Sequence, residues 1–172
     1  MSSFGRGRRR EKGEGKVNLL VKTADRKFKI LGLRIIEDIR EEDSESFIDA
    51  SIRIEVGNII VFKASSGKRQ VDAISAALLT ALINFHPSLK EVKLTDFFVN
   101  TSNDSLQVTI TLSDKYSSWK ISRSAMDLSS AIMQALIAGI EYKLKYEEAA
   151  ELKKAAEREA LDREAIVGIG LE

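Results

Sequence analysis

Polar and apolar residues alternate along two stretches of the chain. Between Ile48 and Val56 every second residue is apolar, and the residues between them are polar or charged. The same pattern runs from Leu106 to Leu112. Because successive side chains of a strand point to opposite faces of its sheet, the alternation predicts strands with one buried and one solvated face.

The order of the predicted elements occurs twice. The first half contains a helix preceded by predicted strands at residues 28–39, 46–56 and 58–65. The second half contains another helix preceded by predicted strands at residues 92–103, 106–114 and 117–124. We therefore predict an α+β fold of duplicated β-β-β-α units, with antiparallel sheets, two core helices and halves at about residues 28–87 and 92–144.

Two dipeptides lie where the predicted hairpins turn. Gly57-Asn58 is a pair typical of a two-residue hairpin loop, and Asp114-Lys115 occupies the corresponding place in the second half. Such loops need backbone conformations that glycine, asparagine and aspartate tolerate best. We therefore predict a tight hairpin turn in each half.

The helical segments show apolar stripes that recur every three or four residues. The first stripe runs from Val71 to Phe85, and His86-Pro87 ends the helix because proline disfavours helix in the residue before it. Before the second stripe, Ser124 and Asp127 have the spacing of a capping box. The chain from residue 145 to 172 is charged and rich in alanine, which predicts a projecting helix that either binds a partner or is simply solvated.

Charge is unevenly distributed along the 172 residues, whose net charge is +1. Residues 1–16 contain six basic and two acidic residues, a net charge of +4, so the rest of the chain carries −3. We predict a disordered basic tail at residues 1–16 and a folded domain at residues 17–144. Nucleic acid could bind only through this tail, and the alternative is a solubilising leader.

The composition excludes several kinds of chemistry. The chain has no cysteine and a single histidine, so disulfides, thiol nucleophiles and sites with two imidazoles are ruled out. Gly67-Lys68 lacks the earlier glycine and the following hydroxyl of a phosphate loop, since Phe62 and Arg69 stand there. We expect no catalytic residue, metal site or cofactor, and, without an apolar membrane or signal segment, a cytoplasmic protein.

Three motifs carry a family resemblance over residues 28–144. They are Gly67 to Ala73, which ends in Val-Asp-Ala, then Ser102-Asn103-Asp104, and the helical segments 134–136 and 140–144. In order and spacing the chain resembles the C-terminal allosteric and dimerisation domain of the α-isopropylmalate synthase and citramalate synthase family. It departs from that pattern at Gln70, where the family has proline.

The resemblance implies a homodimer that binds a branched-chain amino acid effector, leucine or isoleucine, between its β-β-β-α units. The ligand-binding residues that it implies are Gly67, Val71, Asp72, Ala73, Asn103 and Asp104. Asp72 would accept the ligand ammonium, or would only complement the dipole of the first helical turn. Both interpretations of Asp72 stay open on the sequence alone.

Two functions follow as expectations. The first is a stand-alone, non-enzymatic regulatory module that lacks the catalytic barrel, senses leucine or isoleucine and modulates a separate synthase catalytic subunit of branched-chain amino acid biosynthesis. The second is a structural dimer without a working ligand site, whose basic tail binds a protein partner or RNA. Neither expectation includes a membrane.

Overall fold

Six strands and two α-helices form the part of the chain that the computed structural model describes, residues 26–39, 46–102 and 104–169. The predicted basic tail and Asn103 lie outside these ranges. The first unit consists of β1 (Lys29–Asp38), β2 (Phe47–Val56), β3 (Ile59–Gly67) and α1 (Gln70–Leu82). A 3-10 helix (Pro87–Glu91) leads to the second unit, β4 (Lys93–Ser102), β5 (Ser105–Ser113), β6 (Ser118–Ala125) and α2 (Leu128–Ile169).

The strands form two separate antiparallel sheets. Their strand orders are β1-β2-β3 and β4-β5-β6, and each sheet is followed in the chain by its helix. The first helix packs against β2 and β3, the second packs against β5 and β6, and the helices contact each other. The predicted α+β fold of duplicated β-β-β-α units is confirmed.

A matching irregularity in both sheets supports the duplication. The pairing of β1 with β2 shifts between Ile30 and Gly32, and the pairing of β4 with β5 shifts between Leu94 and Asp96. In each unit the shift follows the second residue of the first strand. A bulge bends and twists its strand locally, so the two units share a detail of backbone shape as well as an element order.

Burial follows the alternation of the sequence. Ile52 and Ile54 of β2 are fully buried, and so are Val108 and Ile110 of β5. The intervening residues are more accessible: Arg53 is exposed and Thr109 is half-buried. Since both helices also bury their apolar stripes, one continuous hydrophobic core runs through the two units.

The second helix approaches its sheet closely at a glycine. A Cβ atom at Gly139 would lie 2.6 Å from Cδ1 of Leu112, so a larger residue would push that leucine aside. The indole Nε1 of Trp119 donates a hydrogen bond to the Gly139 carbonyl at 3.0 Å. The small residue therefore lets β5 and β6 contact the helix backbone directly.

The predicted capping box of the second helix is wrong. Ser124 lies within β6, where its backbone pairs with Gln107, so it cannot cap a helix that begins at Leu128. Asp127 caps the helix instead, because its Oδ1 accepts a hydrogen bond from the Ser130 backbone N–H at 2.9 Å. Asp127 is therefore the N-cap residue itself, the role that the predicted capping box gave to Ser124.

The two hairpin turns differ from each other. Gly57-Asn58 forms the predicted two-residue turn, with Gly57 at a φ of 61°. The prediction for Asp114-Lys115 is wrong, because Ser113 pairs with Ser118 across a four-residue loop. Asp114 shapes this loop, since its Oδ1 accepts hydrogen bonds from two backbone N–H groups at 2.8 Å each.

The β5–β6 loop is tied to the second helix through charged groups. Lys143 forms an ion pair with Asp114, whose side chain is only 3% exposed, and a second one with Glu147 at 3.0 Å. Glu147 also accepts a hydrogen bond from the Ser88 hydroxyl at 2.6 Å, which adds the 3-10 helix to the network. The hydrogen bond from Lys143 holds the pKa of Asp114 well below its usual range.

The second helix continues far beyond the core. It contains 42 residues and is therefore about 63 Å long, and all residues from 151 to 169 are exposed. Within the described ranges, no helix has an apolar run long enough to cross a membrane. Leu152 and Leu161 are among the large apolar side chains that this exposed half presents to solvent.

Replacing Asp114 with asparagine should lower the free energy of unfolding at pH 7 by about 2 kcal/mol, because the ion pair with Lys143 is lost. Lys143 lowers the folded-state pKa of Asp114, so the carboxylate stabilises the protein above its unfolded pKa of about 3.9. This contribution is lost as the pH falls through the folded pKa. Urea denaturation between about pH 2 and 7 should therefore show the difference from wild type shrinking below about pH 4.

The matched control for this experiment is Asp162→Asn, since Asp162 is exposed on the projecting half of the second helix. Its effect on unfolding should be close to zero at every pH. An Asp114→Asn difference that stays constant down to the lowest pH would contradict the ion-pair interpretation.

Candidate ligand-binding site

The first helix begins at a close contact between β3 and its own first turn. Gly67 is the last residue of β3, and only two residues separate it from Gln70, where the helix starts. A Cβ atom at Gly67 would lie 2.6 Å from the Ala73 backbone nitrogen and 2.9 Å from the Asp72 Cβ. Glycine is therefore needed here for space, because every other residue would collide with backbone.

An ion pair covers this helix start. The Nε and Nη2 atoms of Arg69 donate hydrogen bonds to the two carboxylate oxygens of Asp72, each at 2.8 Å. The hydrogen bond from Arg69 lowers the pKa of Asp72, so its carboxylate is ionised at neutral pH. A ligand ammonium that binds Asp72 must therefore share the carboxylate with Arg69 or displace it.

Residues of the second unit adjoin the same helix start. The Arg69 guanidinium lies over the Phe97 ring, 5.6 Å from its centroid, which places the middle of β4 beside the ion pair. The Ser129 hydroxyl donates a hydrogen bond to Oε1 of Gln70 at 3.3 Å. The first turns of both helices and β4 therefore meet around Arg69.

The other predicted residues of this motif have a packing role. Val71 and Ala73 are fully buried, and both belong to the hydrophobic core together with Ile74. Phe97 is half-buried and packs against that core. The apolar side chain that remains partly accessible beside the helix start is thus Phe97.

Asp104 lies at a different place, in the turn between β4 and β5. Its backbone N–H donates a hydrogen bond to the Ser102 carbonyl at 3.0 Å. Asp104 lines a shallow depression of about 330 Å³ with Leu106, Met126 and neighbouring residues of the turn, and no residue of α1 lines it. Asn103, the remaining predicted residue, lies outside the described residues.

Sequence reasoning missed Arg69 as a site residue. Its signal was the spacing Arg-x-x-Asp across the start of an apolar stripe, because residues three apart in the first helical turn can form an ion pair. The contact between Arg69 and Phe97 has no such signal, since it joins the two units. Among the residues that the structure describes, no group of three histidine, aspartate or glutamate side chains is arranged to hold a metal ion.

Comparison with known proteins relates this duplicated β-β-β-α domain to one kind of synthase. No protein-family model matches the chain. The chain is 36% identical over 159 residues to the (R)-citramalate synthase of Geobacter sulfurreducens, covering 87% of the chain and 30% of that protein. It is 31% identical over 121 residues to the (R)-citramalate synthase of Aquifex aeolicus, covering 67% of the chain and 23% of that protein. The chain therefore spans less than a third of the length of the curated relatives that it matches.

Gly67→Ala should destabilise the protein by about 2 kcal/mol, because the added methyl group collides with backbone of the first helical turn. Gly32→Ala is the matched control, since a Cβ atom there would have no neighbour within 4 Å. Urea denaturation of both variants measures the difference. Equal stabilities of the two variants would show that the helix start accommodates a side chain and that space does not dictate glycine at position 67.

Proposed function

We propose that this chain is a non-enzymatic regulatory module that senses leucine or isoleucine and modulates a citramalate or isopropylmalate synthase catalytic subunit of branched-chain amino acid biosynthesis. The observation that carries the proposal is the similarity to citramalate synthases, which covers 87% of the chain but only 30% of the Geobacter sulfurreducens protein. A relation confined to part of an enzyme fits a domain that controls the reaction rather than one that performs it.

The residues at the first helix start suit a zwitterionic ligand. Arg69 and Asp72 form a bidentate pair that is exposed to solvent. When this pair opens, Arg69 is free to bind the carboxylate of an amino acid while Asp72 accepts its ammonium group. The N-terminal N–H groups of the helix add partial positive charge for the carboxylate. Phe97 supplies an apolar contact for a branched side chain.

A second copy of the chain completes the proposed site. Asp72 and Asp104 lie at separate places in one chain, so a homodimer interface is the arrangement that can bring the two motifs together. The outer face of the β1–β3 sheet exposes Ile36, Ile60 and Phe62, the last two 62% and 65% exposed. An apolar patch of this kind favours association in water.

Effector binding and control of the synthase are coupled in both directions. An amino acid that prefers one dimer arrangement shifts the protein toward it by its difference in affinity for the two arrangements, typically about 1–3 kcal/mol. The module needs no chemistry of its own for this purpose. Its output is a change in the population of dimer arrangements.

Calorimetric titration of the full chain with leucine, isoleucine and valine tests the proposal. We expect saturable binding of leucine or isoleucine, weakened roughly tenfold or more by Asp72→Asn, because the ammonium loses a charge-assisted hydrogen bond. Asp162→Asn should bind like wild type, since Asp162 is exposed on the projecting helix. Three flat titrations at millimolar ligand would exclude sensing of these amino acids.

The alternative function is a structural dimer whose basic tail binds a protein partner or RNA. The net charge of +4 in residues 1–16 favours it, because clustered basic residues neutralise phosphates and release counterions. Deletion of residues 1–16 should then abolish RNA retention, and retention by the full chain should fall steeply with salt. Retention that survives the deletion, or no retention by the full chain, would remove this alternative.

A further inference from the structure

A short segment before β1, residues 26–28, leads the chain into the folded domain, and we call it the entry segment. Strand pairing begins only at Lys29, so the backbone of the entry segment needs partners outside the sheet. Phe28 is buried in the core, and the Lys27 ammonium forms an ion pair with Glu148 of the second helix at 2.7 Å. The entry segment is therefore held against the second helix.

Glu141 provides the backbone contact that fixes this segment. Its Oε1 atom accepts a hydrogen bond from the Lys27 backbone N–H at 3.0 Å, across 114 positions of the sequence. Glu141 lies on the second helix and is only 8% exposed. A single buried carboxyl group thus joins the point of entry to the helix.

The second oxygen of this carboxyl group is unsatisfied. The Oε2 atom of Glu141 is buried and has no hydrogen-bond partner among the described residues. Asp114 is also buried, but its carboxylate is paired with Lys143. Burial without such a partner penalises the charged form more than the neutral acid, so Glu141 resists ionisation where Asp114 does not.

The charged groups around Glu141 do not cancel this penalty. Arg26 and Lys27 of the entry segment and Lys145 of the second helix favour the ionised form, yet burial outweighs them and raises the pKa of Glu141. The connection after the first helix contributes His86, which lines a cleft of about 550 Å³ together with Lys27. Burial lowers the pKa of His86, so the imidazole adds no positive charge at neutral pH.

We propose that Glu141 is a proton-operated latch for the entry segment. With its proton bound, Glu141 holds the segment against the second helix, and its ionisation opens the segment locally so that water reaches the carboxylate. The inference does not depend on the proposed amino-acid site, with which it shares no residue.

The direction of the pH effect follows from the two states of the latch. The carboxyl group has its ordinary pKa of 4.5 when the segment is open and a raised pKa when the segment is closed. The proton therefore favours closure fully below about pH 4.5, and this contribution is lost as the pH rises through the closed-state pKa. Local opening exposes the Lys27 N–H to hydrogen exchange.

Amide hydrogen exchange of the full chain, followed by nuclear magnetic resonance between about pH 4 and 8, tests the latch. Glu141→Gln keeps the Oε1 acceptor for Lys27 but cannot ionise. We expect the protection factor of the Lys27 amide in Glu141→Gln, divided by that of wild type, to rise about threefold or more over this range. His86 titrates in both proteins, so its effect cancels in the ratio.

The matched control is Glu157→Gln, because Glu157 is exposed on the projecting half of the same helix. Its protection of the Lys27 amide should equal that of wild type at every pH. A ratio for Glu141→Gln that does not change with pH would overturn the proposal.

A second measurement needs no variant. Carbon-13 resonance of the side-chain carboxyl groups in the wild-type chain follows Glu141 directly, with exposed Glu157 as the reference. We expect Glu141 to titrate at a higher pH than Glu157, and an equal or lower midpoint would also overturn the latch. Neither measurement involves leucine or isoleucine, so flat titrations with these amino acids would reject sensing and leave the latch standing.

Discussion

The burial of one apolar face of each sheet is the constraint on which the rest of the structure depends. A three-stranded sheet with an exposed apolar face is unstable in water, so each sheet here packs against its own helix. The helices in turn contact each other, and residues as far apart as Ile52 and Leu136 are fully buried in one core. The two units therefore stabilise one another, and the N-terminal ends of the two helices lie close together.

Much of the fold was predictable because burial on one face leaves a period of two or of three to four in the sequence. The errors occurred at the ends of elements, where pairing with a distant strand decides the structure. Ser124 has a good capping spacing, yet it pairs with Gln107 and stays in β6. The loop at Asp114 is longer than its counterpart because side-chain hydrogen bonds define it.

Less of the candidate site was predictable, since its contacts join segments that lie far apart in the sequence. Asp72 was identified from a motif, but its bond to Arg69 was not, and the position of Phe97 over Arg69 depends on the packing of the two units. The cleft between the second helix and the connection that follows the first helix was still less predictable. It is formed by the segment before β1, the connection after α1 and the second helix, and only the lone histidine marked it.

The unbroken course of the second helix has a mechanical consequence. Leu128 starts it against the sheet, and its final 19 residues, all of them exposed, span about 28 Å. A rigid rod anchored at one end acts as a lever arm. A tilt of about 10° at the packed end would swing the free tip through roughly 5 Å, an amplification set by helix length alone.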